Sequence, residues 1–326
     1  QRYWTDVISS APAGPNLHPL VHRRLSTAGA NVIFESHLRA SDPGYLADHV
    51  VFDSVVLPAS AFFEMALVAG RVALGQPALE LANVSIQQAL VLTDTPVAVQ
   101  VVITKVDRGH QFEVFSAGPA SGARVVERWT RHASGNLLST DGQALTAIGN
   151  IDLQVLDQPG AARLDVDAFA GRFEAKGVVY GPPFKALSEI GTLGSSPASA
   201  FARIELPKAA RAPGDGDAYA FHPVVLDACL RVAEALFPEI GEDEIFLPFA
   251  VAGMRCMKVP DGPVWVQARA SEFERTRIVN LAVFDESGAC VAQLDELMLR
   301  AVSVLTLRRA TTPQRSTDEV LSDWLY

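Results

Sequence analysis

Two short segments, residues 58–69 and 223–237, are almost wholly apolar, and each begins with a proline. Proline is tolerated in the first turn of an α-helix, so both segments are predicted to be helical. In the first segment, Ser60 and Glu64 are the only polar side chains. A helix that is apolar nearly all round must be enclosed by other elements. We therefore expect one buried helix in each half of the chain.

The sequence around these segments is typical of antiparallel strands. Residues 97–106 are rich in β-branched side chains, a turn follows at 107–109, and 112–115 continues as an extended segment, which predicts a hairpin. The second half repeats this pattern, with strands expected at 264–270, 278–284 and 289–304. A curved antiparallel sheet that wraps a central helix, present twice, is a double hotdog fold of the α+β class.

The turn-forming sequence Asp-Gln-Pro-Gly at residues 157–160 is typical of a linker between the two halves. We expect the first hotdog half at 1–156, the second at 161–308, and a linker to a following domain at 309–326. A duplicated fold suggests function, because a site built between two halves can draw one reactive group from each.

The composition disfavours several classes of partner. Lys and Arg number 27 against 37 Asp and Glu, a net charge of −10, so nucleic acid is not an expected partner. No stretch approaches the roughly 20 apolar residues of a membrane helix, and the start lacks the pattern of a signal peptide. Cys229, Cys256 and Cys290 are widely spaced, which suits a reducing compartment. We expect a soluble, cytoplasmic protein with no membrane partner.

The sequence signatures of several enzyme classes do not occur. Without HExxH, GxSxG, GxGxxG or GxxxxGK[ST], the zinc peptidase, serine hydrolase, dinucleotide-binding and P-loop functions are not favoured. His18 and His22 have the spacing of a metal-binding pair, but Pro19 between them favours a loop, and no third ligand is evident. We expect no metal site.

His49 is the histidine with the most unusual surroundings. It precedes an apolar run and lies nine residues ahead of Pro58, so its imidazole is expected at the entrance to the first buried helix. A base placed there would be shielded from water. The alternative is a core histidine whose ring is hydrogen-bonded to the backbone.

Asp227 lies inside the second apolar segment, five residues after His222. Burial of an unpaired carboxyl disfavours its charged form, and a carboxyl that keeps its proton is a proton donor. The alternative is that Asp227, Arg231 and Glu234, at i, i+4 and i+7, form one solvated stripe with ordinary ion pairs.

Several motifs together resemble those of dehydratase domains in modular type I polyketide synthases, and they occur in the expected order. The matches are HVVFDSVVLP at 49–58 to HxxxGxxxxP, YGPPF at 180–184 to YGPxF, HPVVLDACL at 222–230 to HPxxLDAxL, LPF at 247–249, WTRHASG at 129–135 and the opening RYW at 2–4. The resemblance therefore spans essentially the whole chain.

The resemblance implies a double hotdog that pairs into a homodimer and has other polyketide synthase domains as neighbours. It implies a β-hydroxyacyl substrate on the phosphopantetheine arm of an acyl carrier protein, which loses water to give an α,β-unsaturated thioester. By motif position, His49 would be the base that removes the α-proton, and Asp227 the acid that protonates the leaving hydroxyl. No metal and no cofactor of its own are implied. The residues expected to contact substrate are Leu57, Pro58, Tyr180, Gly181, Pro182, Phe184 and Arg231.

Two positions depart from the family pattern. The glycine of HxxxGxxxxP is Asp53 here; an inward carboxylate would favour imidazolium at His49, whereas an outward one would be harmless. Arg231 stands where the family usually has Gln or His, and a guanidinium on Asp227 would hold that carboxyl ionised. We expect Arg231 to lean toward Glu234 and to leave Asp227 free.

Two further functions are compatible with these residues. A variant of the same class could also close an oxygen heterocycle or shift a double bond. A different class is a non-catalytic domain kept for dimerisation and carrier docking. Asp53 and Arg231 favour that function, whereas His49 and Asp227 oppose it.

Overall fold

The computed structural model describes residues 16–77, 79–118, 128–140, 151–194, 199–211, 218–260, 262–271 and 277–311. The first half contains β1 (Arg23–Leu25), β2 (Val32–Leu38), β3 (His49–Val51), β4 (Ser54–Val56), α1 (Ala59–Leu74), β5 (Leu79–Ile86), β6 (Val91–Leu92), β7 (Val97–Lys105), β8 (His110–Ala117) and β9 (Trp129–Ser139). The second half contains β10 (Ala161–Arg163), α2 (Val166–Glu174), β11 (Val178–Tyr180), β12 (Leu187–Leu193), β13 (Ser199–Ile204), α3 (Pro223–Val232), β14 (Glu244–Cys256), β15 (Val264–Ser271), β16 (Arg277–Phe284), β17 (Cys290–Ser303) and α4 (Val304–Thr311).

One antiparallel sheet of thirteen strands runs through both halves. Its order is β1-β2-β7-β8-β9-β5-β14-β17-β16-β15-β13-β12-β10. The halves join where β5 pairs with β14, with Val84 opposite Val251. The predicted hairpin is confirmed as β7 and β8, and the strands predicted in the second half are confirmed as β15, β16 and β17.

Helix α1 packs against the part of the sheet formed by β5, β7 and β8. Pro58 precedes its first turn, and Gly75 ends it in the left-handed conformation with a φ of 64°, which glycine adopts without steric cost. The helix runs five residues beyond the predicted end at 69, because its last turn continues past the wholly apolar segment. Phe62, Phe63 and other fully buried side chains each contribute about 1.5–3 kcal/mol through burial.

Helix α3 is the second central helix, and it contacts β13, β15 and β16. Pro223 occupies its first turn, and the Nδ1 atom of His222 accepts a hydrogen bond from the Val224 N–H at 3.2 Å. Burial lowers the pKa of His222 to about 4, so the neutral ring can act as this acceptor. The α-helix ends at Val232, and 233–236 continue as a 3₁₀ turn. Two helices wrapped by one curved sheet confirm the predicted double hotdog.

A separate four-stranded sheet, β11-β3-β4-β6, joins the halves near the two helices. Strand β11 of the second half pairs with β3 of the first, so that Tyr180 lies directly opposite His49. The sheet therefore brings the YGPPF motif beside the histidine of the first half.

The described residues cover only part of the predicted end segments. Residues 309–311, which were expected in the linker at 309–326, form the end of α4. Residues 312–326 and the RYW motif at 2–4 lie outside the described part of the chain. None of the helices described has the length and hydropathy that crossing a membrane requires.

Candidate active site

His49 is the first residue of β3, and its side chain is buried. Its Nδ1 atom lies 2.7 Å from the carbonyl oxygen of Val56. Because a carbonyl oxygen only accepts, Nδ1 carries the proton and Nε2 presents a free lone pair. Burial lowers the pKa of His49, while Asp227 and the bond to Val56 partly oppose this shift. The ring is therefore a neutral base held in a fixed orientation.

Asp227 projects from α3 toward this histidine. Its Oδ1 atom lies 4.0 Å from the His49 Nε2, and both side chains are buried. The solvated-stripe alternative is therefore wrong for Asp227, because α3 is enclosed on all sides and even Arg231 is buried. One titratable group from each half meets at this point.

Arg231 does not lean toward Glu234, so that prediction was wrong. Its Nε lies 3.0 Å from the second oxygen of Asp227, but the Nε–H makes no hydrogen bond to it. The guanidinium is held by other groups. It donates to the Phe184 carbonyl at 2.9 Å and lies over the Tyr180 ring at 4.0 Å.

The two oxygens of Asp227 face different groups. Oδ2 faces the Arg231 guanidinium, and Oδ1 faces the His49 imidazole.

An aromatic wall encloses His49. The ring centroids of Tyr180 and Phe184 lie 5.6 and 5.2 Å from that of His49, and burial raises the pKa of Tyr180 well above its usual value. Gly181 between them has no room for a side chain, since a Cβ would overlap the carboxylate of Asp48. The YGPPF motif at 180–184 is therefore a tight turn that places the Tyr180 and Phe184 rings against the His49 imidazole.

A cavity of about 360 Å³ opens in front of these groups. Predicted site residues on its wall are His49, Asp227, Leu57, Tyr180 and Arg231, and the LPF motif adds Leu247, Pro248 and Phe249. Four residues that were expected to contact substrate are not on this wall: Pro58, Gly181, Pro182 and Phe184. The last three form the turn that follows β11.

Comparison with protein families gives two matches. A description of the polyketide synthase dehydratase domain matches residues 18–117, and one of the polyketide synthase dehydratase N-terminal domain matches 148–309. The chain belongs to the polyketide synthase dehydratase family. Its activity class is therefore that of the hydro-lyases.

Similar proteins include polyketide synthases of Streptomyces. Polyketide synthase GfsA of Streptomyces halstedii is 32% identical over 97% of this chain and 4% of its own length. Pikromycin polyketide synthase component PikAII of Streptomyces venezuelae is 30% identical over 94% of this chain and 8% of its own length. The dehydratase domain thus spans only a small part of such relatives.

Solved dehydratase domains share the fold. The domain from the CurF module of curacin polyketide synthase aligns with a TM-score of 0.76 and 24% identity, covering 88% of this chain and 100% of that one. A CurJ dehydratase aligns with a TM-score of 0.78 and 21% identity, covering 90% and 99%. The double hotdog architecture is therefore common to them and to this domain.

Asp53, the first departure from the family motif, points away from the site. It is exposed in the turn between β3 and β4. The left-handed residue of that turn is its neighbour Phe52, with a φ of 51°. Of the two orientations considered for Asp53, the outward one is found, so its charge does not oppose the neutral imidazole.

Glu64 is a residue whose role the sequence did not reveal. It is fully buried in α1, and its oxygens accept hydrogen bonds from the N–H groups of Ala220 and Phe221 at 2.6 and 2.8 Å. The Nε2 of His18 lies 3.2 Å away. Glu64 thereby ties the helix of the first half to the segment that leads into α3. A lone acid in an apolar helix was the available signal.

His18 and His22 are the histidines that have the spacing of a metal-binding pair. In the part of the chain that is described, no three or more His, Cys, Asp or Glu side chains are grouped to hold a metal ion. His18 is buried beside Glu64 and accepts from the Leu20 N–H at 3.0 Å. Its ring belongs to the interface between the halves.

Proposed function

We propose that this domain removes water from a β-hydroxyacyl chain carried on the phosphopantetheine arm of an acyl carrier protein. The product is an α,β-unsaturated thioester. The observation that carries the proposal is the pair His49 and Asp227, which converge from different halves on one largely apolar cavity. An elimination across adjacent carbons needs a base near one carbon and an acid near the next. The 4.0 Å between the His49 Nε2 and the Asp227 Oδ1 is compatible with this requirement.

His49 is the base in this proposal. The α-proton of a thioester is weakly acidic, so its removal needs a neutral imidazole and stabilisation of negative charge on the thioester oxygen. The neutral imidazole is that of His49, whose Nε2 lone pair accepts the α-proton. To stabilise the charge on the thioester oxygen we propose the N–H groups of Ala59 and Ser60 in the first turn of α1. They precede the Ala61 N–H, which bonds to the Pro58 carbonyl at 2.9 Å, and Ala59 lines the cavity.

Asp227 is the acid. Hydroxide is a poor leaving group, so the β-hydroxyl must take a proton as its C–O bond breaks. Oδ1, the oxygen that faces His49, supplies that proton, the C=C bond forms from the electrons of the α C–H bond, and water leaves. His49 then carries one proton more and Asp227 one fewer, and transfer through the released water restores both groups.

Solved relatives support this assignment. A histidine-to-phenylalanine and an aspartate-to-asparagine mutant of the CurK dehydratase are each described as inactive. Both have 24% identity to this chain, and one histidine and one aspartate are what the cavity of this domain presents. We further propose that the domain works beside other synthase domains, because it spans only 4% and 8% of the length of two such relatives. A homodimer is proposed on the family resemblance alone.

The contact between Arg231 and Asp227 favours a second candidate function. An ionised Asp227 cannot protonate a hydroxyl, but it can accept a proton from the γ-carbon while protonated His49 delivers one to the α-carbon. That exchange shifts a double bond and leaves the mass of the chain unchanged.

Mass spectrometry of the intact carrier protein separates the two candidates. Both β-hydroxy epimers of a carrier-bound acyl chain are incubated with the domain, as is the corresponding unsaturated chain. We expect one epimer to lose one water molecule. Failure of both epimers to lose water, with migration of the double bond in the unsaturated chain, would support the second candidate and exclude dehydration.

A further inference from the structure

Glu234 lies in the 3₁₀ turn that continues the second central helix, and it lines the same cavity as Asp227. The two residues are seven positions apart, with Arg231 between them, and all three side chains line the cavity. Seven residues are about two helical turns, which places Glu234 on the order of 10 Å from Asp227 along the helix. The proposed chemistry leaves the Glu234 carboxyl without a role.

The Glu234 carboxyl has no hydrogen-bond or ion-pair partner among the described residues. The nearest cations act on it only through their charge, since each is engaged elsewhere. Lys176 donates to the Gly241 carbonyl at 3.2 Å, Arg231 donates to the Phe184 carbonyl, and Arg172 lies over the Phe169 ring. The Glu234 carboxyl is therefore an unpaired polar group on the cavity wall.

The surroundings of Glu234 determine which group it can bind. Burial raises the pKa of Glu234 to about 8, so the carboxyl keeps its proton near neutral pH. A protonated carboxyl both donates and accepts a hydrogen bond. Leu230, Phe173 and Phe246 supply apolar wall in the same cavity. A chain of methylene groups that carries one oxygen fits this combination.

We propose that Glu234 is a specificity-determining residue that binds a hydroxyl or keto oxygen on the acyl chain, several carbons from the reacting β-carbon. This inference rests on the proposed function and deepens it. A bound chain without that oxygen covers the carboxyl and leaves it without a hydrogen-bond partner, which lowers the affinity for that chain. The domain therefore selects acyl chains that are already oxygenated.

The test compares kcat/KM for β-hydroxyacyl thioesters that differ only in a second hydroxyl, placed at successive positions along the chain. We expect the wild-type domain to prefer one position by about tenfold, the value of one hydrogen bond of 1.4 kcal/mol. Glu234→Leu should abolish that preference, whereas Glu234→Gln, which also donates and accepts, should keep most of it. Glu239→Leu, at an exposed glutamate, is the matched control. An unchanged preference in Glu234→Leu would overturn the inference.

A binding measurement keeps this test separate from catalysis. Chains that lack the β-hydroxyl cannot be dehydrated, but they still reach Glu234. Their Kd, with and without the distant hydroxyl, should differ about tenfold for the wild-type domain and not for Glu234→Leu. A tenfold difference without turnover of any substrate would contradict the proposed dehydration and support the subsite. Turnover of substrate together with equal Kd values would support the proposed dehydration and contradict the subsite at Glu234.

Discussion

His49 and Asp227 face each other at 4.0 Å across the boundary between the two halves of the fold. Strand β3 positions the first and helix α3 the second, and the pairing of β3 with β11 holds the halves together beside them. Because neither half contains both groups, the duplicated architecture is itself a requirement of the proposed chemistry.

The acidic side of the pH profile reports on His49. As a base His49 must be neutral, and burial lowers its pKa below the ordinary 6.5. A lowered pKa moves the loss of activity to lower pH, so kcat/KM should hold at pH 6.5 and fall only below it. Stopped-flow or discontinuous assays over a pH series measure this limb. A midpoint at or above 6.5 would contradict the assignment.

Arg231→Gln should increase dehydration. The Nε of Arg231 lies 3.0 Å from an oxygen of Asp227, and glutamine at position 231 removes that positive charge while keeping a polar side chain. We expect up to about a tenfold rise in kcat/KM, because a general acid must carry its proton and a neighbouring cation disfavours the protonated form of a carboxyl. Arg163→Gln, at an exposed arginine, is the control. A loss of activity in Arg231→Gln, with Arg163→Gln unchanged, would show instead that the cation assists the reaction.

Glu64→Ala should destabilise the domain. The change leaves the N–H groups of Ala220 and Phe221 buried without an acceptor, which costs about 3 kcal/mol in the free energy of unfolding. Urea denaturation measures the loss, and Glu174→Ala, at an exposed position, should change stability by less than about 0.5 kcal/mol. An equally small change in Glu64→Ala would show that the tie between the halves is dispensable.

The residues best predicted from the sequence were those whose local pattern had one structural solution. The apolar segments at 58–69 and 223–237 had to be enclosed, and the hairpin predicted at 97–115 was indicated by its turn at 107–109. The pairing of strands between the two halves has no local sequence signal of this kind. Nothing local indicates that β11 joins β3, or that β5 joins β14.

Arg231 shows why side-chain partners were harder to predict. Helix spacing allows it to meet either Asp227 or Glu234, since i−4 and i+3 are both neighbours. The choice is made by the Phe184 carbonyl and the Tyr180 ring, which lie far away in sequence. The same holds for Glu64, whose partners Ala220 and Phe221 belong to the other half.

The most direct test of the central claim is turnover of a carrier-bound β-hydroxyacyl substrate by His49→Ala and Asp227→Asn, followed by intact mass. Each variant should lose about 10²- to 10⁴-fold in rate while melting as a folded protein. The control variants are His37→Ala and Asp53→Asn, at exposed positions. They should dehydrate the substrate at the rate of the wild-type domain. Near wild-type turnover in either His49→Ala or Asp227→Asn would contradict the assignment of that residue.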